Sequence, residues 1–222
     1  MSQLRDDWVS RYADRGALWF HDGNTVRPHA LLTSGKHSSG FFNSERVMED
    51  PLLLDRACNN LLYLLKQGGF DLEVVDRVAG PALGAITPAH DLARHIGFAR
   101  DRPCLRAYAE KDPERGPKAM VFKRTAIRPG EQILLVEDVL TTGVSTEETA
   151  MAVVRAGGIV MPFVGVLVNR SGLTEVGDKQ IVALIDHPMP MWKAEECPLC
   201  KQGSEPLRPK GAENWARLNA QY

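Results

Sequence analysis

Three stretches, EQILLVEDV (131–139), IVMPFVGVLVNR (159–170) and QIVALID (180–186), are apolar along most of their length. A strand with one solvated face alternates apolar and polar residues, so strands without that alternation must be covered on both faces. Between and before them lie segments with helical periodicity. PLLLDRACNNLLYLLKQGG (51–69) starts on Pro51 and stops at a glycine pair, and PALGAITPAHDLARHIG (81–97) follows a tight turn. Pro88 should bend that second helix or delay its start. STEETAMAVVRAGG (145–158) opens on Ser145 as N-cap, with Glu148 three residues on completing a capping box. EVVDRVAG (73–80) reads as a short buried strand. CLRAY (104–108) and AMVFKR (119–124) read as strands joined by a Pro- and Gly-containing loop. A polar helix is expected over 3–16 and a short one near 213–221. The pattern predicts an α/β fold, a parallel central sheet flanked by helices. Ligands of such sheets bind beyond the C-terminal strand ends.

The composition narrows the functional classes. Hydrophobic residues are 44% of 222, enough for a full core, and the net charge of −1 gives no reason to expect nucleic acid or a membrane as partner. No apolar run approaches the roughly 18 to 20 residues that span a bilayer. The N-terminus, MSQLRDDWVSRYADRG, is charged and lacks an apolar signal core, so a cytoplasmic location is expected. Charge is uneven locally: residues 100–128 hold nine Lys/Arg against four Asp/Glu, which fits a solvated loop or an anion-binding one.

The most specific stretch is ILLVEDVLTTGVS (133–145). A buried strand ends in two carboxylates, Glu137 and Asp138, directly before a loop of hydroxyls and glycine and a helix start. Consecutive backbone N–H groups and the positive end of a helix suit a phosphate monoester. The stretch is not the nucleotide P-loop, having neither G-x-x-x-x-G-K-S/T nor a lysine. The carboxylates would repel a phosphate, so they need another target; ionised carboxylates are pure acceptors and can hold a cis-diol. A phosphate with a diol a few ångströms away is a ribose 5-phosphate. The competing view is an ordinary capped turn with surface acids.

ILLVEDVLTTGVS resembles the phosphoribosyl-pyrophosphate (PRPP) signature of type I phosphoribosyltransferases. The resemblance implies that Glu137 and Asp138 bind the ribose hydroxyls, and that the loop from Val139 and Leu140 through Thr141, Thr142, Gly143, Val144 and Ser145 holds the 5′-phosphate side of PRPP. Magnesium would be held through substrate, with no ligand directly from protein. Three further stretches are most similar to orotate phosphoribosyltransferases. LLTSGKHSSGFFN (31–43) implies Lys36, Phe41 and Phe42 as orotate-binding residues, the aromatics stacking on the base, although a Phe pair also suits a core. The strand end at Arg170, with Thr141, implies a contact to the orotate carboxylate. GPALGAI (80–86) resembles the pyrophosphate turn, formed by Pro81, Ala82, Leu83 and Gly84. The mobile loop, YAEKDPERGPKAM here, departs from the usual basic pattern; Lys111 matches, and Arg115 and Lys118 are stand-ins.

The implied fold is one phosphoribosyltransferase domain over 1–222, with a core at about 51–186 and a small hood from about 1–50 and 187–222. The implied reaction is transfer of phosphoribose from PRPP to orotate in pyrimidine biosynthesis, with Lys111 and Asp138 as catalytic residues, Mg2+ as cofactor and a homodimer as assembly. Alternatives are a transferase for another base and a non-catalytic PRPP-binding regulator. Cys197 and Cys200 form a single C-x-x-C in CPLCKQG, half a structural zinc site with no second pair, and read as a tail turn. Cys58 and Cys104 fall in core elements. His37 sits in the base-binding segment. The insert WFHDGNTVRPHA (19–30) has no assigned role.

Overall fold

A computed structural model describes residues 2–222. Helix α1 (Ser2–Asp14) is followed by strands β1 (Leu18–Phe20), β2 (His29–Leu31), β3 (His37–Ser38) and β4 (Gly40–Phe42), then helices α2 (Glu45–Met48) and α3 (Pro51–Gln67). The alternating part runs β5 (Arg77–Pro81), α4 (Ile86–Ala99), β6 (Leu105–Lys111), β7 (Met120–Val121), β8 (Gln132–Leu140), α5 (Val144–Arg155), β9 (Ile159–Asn169), β10 (Glu175–Val176) and β11 (Lys179–Asp186). The tail holds β12 (Met191–Trp192), α6 (Pro198–Lys201), β13 (Pro206–Leu207) and α7 (Ala212–Asn219).

The main sheet has the order β10-β11-β9-β8-β5-β6-β7. Its five central strands are parallel, and the short edge strands β10 and β7 are antiparallel. Helices cover both faces, as the unbroken apolar strands require. On one face, Leu54, Leu61 and Leu65 of α3, Leu92 and Ile96 of α4, and Trp8 and Tyr12 of α1 share a core with Leu134, Val136 and Leu167. On the other, Ala150 and Val153 of α5 pack on Ile133, Leu135, Val164 and Val166. α3 sits close because β9 has Gly165 beneath it: a Cβ there would stand 3.3 Å from Leu61 Cδ2. The helix starts where Asp50 accepts from the N–H groups of Leu52 and Leu53, with Pro51 in the first turn, where its missing N–H costs nothing.

A four-stranded sheet, β12-β3-β2-β13, joins the N-terminal segment to the tail. Trp19, Ala30 and Leu32 pack there with Leu207, Trp215 and Leu218. α1 does not belong with it. Trp8 and Tyr12 are 1% and 0% exposed within the main core, so the division that puts all of 1–50 in the hood fails at α1.

Two local expectations change and one is met. Leu72–Val74 is a 3-10 turn capped by Asp71, and the strand begins only at Arg77. Pro88 delays α4 to Ile86 and lies in its first turn. Residues 105–111 and 120–121 pair as an antiparallel hairpin, longer on the first side and shorter on the second than the sequence reading.

Candidate active site

The C-terminal ends of β5, β8 and β9 lie side by side and carry the motifs. At the end of β8, Glu137 is 5% exposed, and its Oε2 accepts from Ser145 Oγ and Thr146 Oγ1, both at 3.0 Å. Burial, and then the adjacent Asp138 carboxylate, hold the Glu137 carboxyl well above the usual carboxylate range, against the pull of those two hydroxyls. Ser145 is thereby used as a tie to Glu137, so the expected capping box does not form. α5 begins one residue earlier, at Val144, with Gly143 as N-cap at φ +76° and no capping side chain. A Cβ on Gly143 would also stand 3.1 Å from Val176 Cγ2, so both conformation and space call for glycine. Among the described residues, no N–H from Thr142 to Thr146 donates to a side chain. The start of the 12-residue helix α5 therefore has no capping side chain.

Asp138 is half-buried and faces the neighbouring turn. A Cβ on Gly84 would stand 2.4 Å from Asp138 Oδ2, and a Cβ on Gly80 would stand 2.3 Å from the Val136 carbonyl oxygen. These two glycines let the turn Pro81–Gly84 close onto β8. The turn is tied to β6 by the Ala82 N–H donating to the Ala109 oxygen at 2.7 Å, its Ala82–Leu83 peptide is cis, and Leu83 at its tip is 84% exposed.

Arg170, one residue past β9, donates its backbone N–H to the Leu140 oxygen at 3.1 Å, which places it beside the hydroxyl loop. Its side chain is 1% exposed. Nη2 donates to Ser38 Oγ at 2.7 Å; Nε has no hydrogen-bond partner, and no carboxylate pairs with the guanidinium among the described residues. Burial lowers its pKa to about 10, which leaves it cationic near neutral pH. Ser38 itself donates to the Pro190 oxygen at 2.6 Å, so the small sheet holds the guanidinium from its far side.

The remaining expected residues divide. Phe42 is 2% exposed and packs edge-on against Tyr12, with ring centroids 5.6 Å apart. It is core, not a stacking surface. Phe41, on the other side of β4, is half-buried against Trp215 at 5.9 Å. Lys36 is half-buried at the β2–β3 turn, and Thr141 and Thr142 are half-buried in the loop. Lys111 and Lys118 are exposed on the β6–β7 hairpin, and neither makes an ion pair among the described residues. Arg115 is engaged by Asp112 at 3.0 Å.

No family model matches the chain. Curated relatives do. It is 34% identical over 207 residues to an orotate phosphoribosyltransferase of Pelotomaculum thermopropionicum, covering 92% of this chain and 96% of that one. It is 36% identical over 182 residues to one of Heliobacterium modesticaldum, covering 82% and 88%. The chain belongs to the orotate phosphoribosyltransferase family. The fold agrees: a crystal structure of orotate phosphoribosyltransferase from Aeropyrum pernix matches with TM-score 0.58 at 22% identity, over 80% of this chain and 93% of the other.

Within that family frame, sequence reasoning missed Ser38, the partner of Arg170. The one signal available was its place in the SSG segment.

Proposed function

We propose that the protein transfers the 5-phosphoribosyl group from PRPP to orotate, giving orotidine 5′-monophosphate and pyrophosphate, a step of pyrimidine nucleotide synthesis. One observation carries the choice of acceptor: a buried guanidinium with no carboxylate beside it among the described residues, adjacent to a phosphate-type loop. A buried unpaired charge costs several kcal/mol, roughly, and a carboxylate ligand offsets that cost. Orotate has such a carboxylate; uracil and the purine bases do not.

The chain's own groups divide the work. The N–H groups of Thr141 to Ser145 and the start of α5 receive the 5′-phosphate. Asp138 holds the ribose hydroxyls, with Gly84 keeping the space beside it open. Glu137 supports the loop through Ser145 and Thr146, so its part in holding the diol is smaller than the sequence suggests. The backbone of Pro81–Gly84 faces the pyrophosphate. The ring nitrogen of the base attacks the anomeric carbon as the bond to pyrophosphate oxygen breaks, and positioning with charge neutralisation lowers the barrier. Lys111, with Arg115 and Lys118 on the same hairpin, supplies positive charge to the leaving group and helps exclude water. Mg2+ would be held mainly through the substrate's own pyrophosphate and ribose oxygens, near the Asp138 carboxylate and the Pro81–Gly84 turn, and would supply positive charge to the phosphate oxygens. A homodimer in which the hairpin reaches the neighbouring site, and a cytoplasmic location, complete the reading; among the described residues no helix is long and apolar enough to cross a membrane.

Arg170→Met tests the acceptor assignment. Its volume is conserved, so the fold should persist. We expect kcat/KM for orotate to fall about 100-fold with the KM for PRPP little changed. An unchanged orotate KM removes Arg170 from the site.

A further inference from the structure

Four side chains that the proposed reaction leaves unused converge in the small sheet. His29 of β2 and His37 of β3 lie on one face of the hairpin, diagonally across the pair in which Ala30 opposes Ser38. Cys197 and Cys200 come from the tail, at the two sides of the Pro198 turn that begins α6. His29 and Cys197 are fully buried and His37 is 5% exposed. One donor atom from each of the four lies within 4.8 Å of all the others. His29 Nε2 stands 2.9 Å from His37 Nδ1, 3.5 Å from Cys200 Sγ and 3.6 Å from Cys197 Sγ, and Cys200 Sγ stands 3.2 Å from His37 Nδ1. In a tetrahedral zinc site with bonds of about 2.3 Å to sulfur and 2.0 Å to nitrogen, neighbouring donor atoms stand about 3.3 to 3.8 Å apart. Four of the six donor–donor distances thus lie within a few tenths of an ångström of what such a site needs, and all six lie within 4.8 Å.

A second observation is independent of that spacing. Ser204 Oγ donates its proton to the Arg27 oxygen at 2.6 Å, so toward His29 Nδ1, 2.9 Å away, it can only accept. Nδ1 therefore carries the imidazole proton, and the bare Nε2 lone pair faces the two sulfurs and the other histidine. An outer partner that fixes the tautomer and ring orientation in this way accompanies metal-bound histidines. Two thiols and two imidazoles in a mostly closed pocket are, moreover, the soft and borderline ligands that select zinc over magnesium or calcium.

We propose that His29, His37, Cys197 and Cys200 form a structural Cys2His2 site for one Zn2+. Protein groups fill all four positions, so the site leaves no open position for chemistry. Its role follows from the strands it joins. β2, β3, β12 and β13 are two or three residues each and come from segments about 160 residues apart. Such strands hold little stability alone, and a metal that closes a long loop offsets much of the ordering cost. His37 directly precedes Ser38, which holds the Arg170 guanidinium, so the ion would also fix the acceptor side of the active site.

The test uses untagged full-length protein purified without chelator. Elemental analysis should find about one zinc per chain. Cys200→Ser and His37→Asn should lower that content at least about tenfold. Chelator-stripped wild-type protein given Co2+ should develop a visible d–d spectrum with a near-ultraviolet thiolate charge-transfer band, which reports tetrahedral sulfur ligation whether or not the variants fold. Stripping should remove amide-exchange protection from 29–38 and 191–207 and leave that of β8 and β9 in place. Protein that arrives without metal and takes up neither Zn2+ nor Co2+, or whose intact mass shows a Cys197–Cys200 disulfide, or whose zinc is unchanged in both variants, overturns the proposal. None of these readouts depends on orotate turnover, so the site stands or falls apart from the proposed reaction.

Discussion

The two sheets are built on different physics. The centre of the main sheet is five parallel strands sandwiched between helices, and its stability is apolar burial accumulated over long contacts between β8, β9 and β11. The small sheet pairs strands of two or three residues from opposite ends of the chain, and beside its apolar residues it carries two histidines that meet two cysteines of the tail. The active site draws on both. The main sheet presents the loops proposed to hold the donor, and the small sheet steadies the guanidinium proposed to select the acceptor. The difference separates two kinds of damage: changes in the main sheet should act on stability first, and changes at the seam should act on substrate binding first.

The largest stability effect is expected at an ion pair buried in the main sheet. Arg77 on β5 reaches Glu131, just before β8, through Nε–Oε2 at 2.9 Å and Nη2–Oε1 at 3.0 Å. Glu131→Gln leaves the guanidinium buried without its charge partner and should cost about 3 kcal/mol, lowering Tm by about 10 °C in a thermal melt. The pair also sets an acid limb. Burial alone would raise the Glu131 pKa, but the Arg77 pair and the Arg128 N–H outweigh it and hold the carboxyl below its ordinary value. A depressed carboxylate contributes stability that is present above its unfolded pKa and is lost as pH falls through the folded one. Wild-type stability should therefore drop more steeply than that of Glu131→Gln below about pH 4, and parallel acid limbs in the two proteins would count against the pair.

A comparison of two glycines is sharper still. Gly80→Ala meets backbone, the Val136 oxygen, and should destabilise by about 2 kcal/mol or more through separation of β5 and β8. Gly84→Ala meets the tip of the Asp138 side chain, which can swing away. It should leave Tm within a degree or two, roughly, yet cut kcat/KM about tenfold by displacing the carboxylate proposed to hold the ribose. Equal losses of stability in both variants would show that Asp138 is a structural residue. The smallest effect belongs to the seam: Ser38→Ala removes one hydrogen bond to Arg170 and should raise the orotate KM about fivefold while the PRPP KM stays put. A shift in both constants would mean that the seam does not separate donor from acceptor.

How much was legible in the sequence follows from the same contrast. Residues 133–136, 164–168 and 182–185 showed as strands because burial on both faces leaves an unbroken apolar run. The small sheet left no such trace, since its strands are too short for periodicity and their partners too distant. Half of the cysteine–histidine cluster was visible as C-x-x-C; the other half lay at His29, at the end of the unexplained insert 19–30, and at His37, within the segment that resembles a base-binding one. Ser145 and Glu148 had the spacing of a capping box, but the buried Glu137 took the Ser145 hydroxyl. Of the aromatic pair, the pleat of β4 sends Phe42 into the core beside Tyr12 and leaves only Phe41 toward the hood, a distinction that the letters FF do not carry.

The central claim is that one site holds PRPP on the main sheet and a carboxylate-bearing pyrimidine at Arg170. The most direct test follows ultraviolet absorbance of orotate and of uracil, separately, with the wild-type protein, PRPP and Mg2+. The structure predicts loss of the orotate band with release of pyrophosphate, and at least about 100-fold slower turnover of uracil. Turnover of uracil at a comparable rate, or no consumption of orotate by protein that demonstrably binds PRPP, would contradict it.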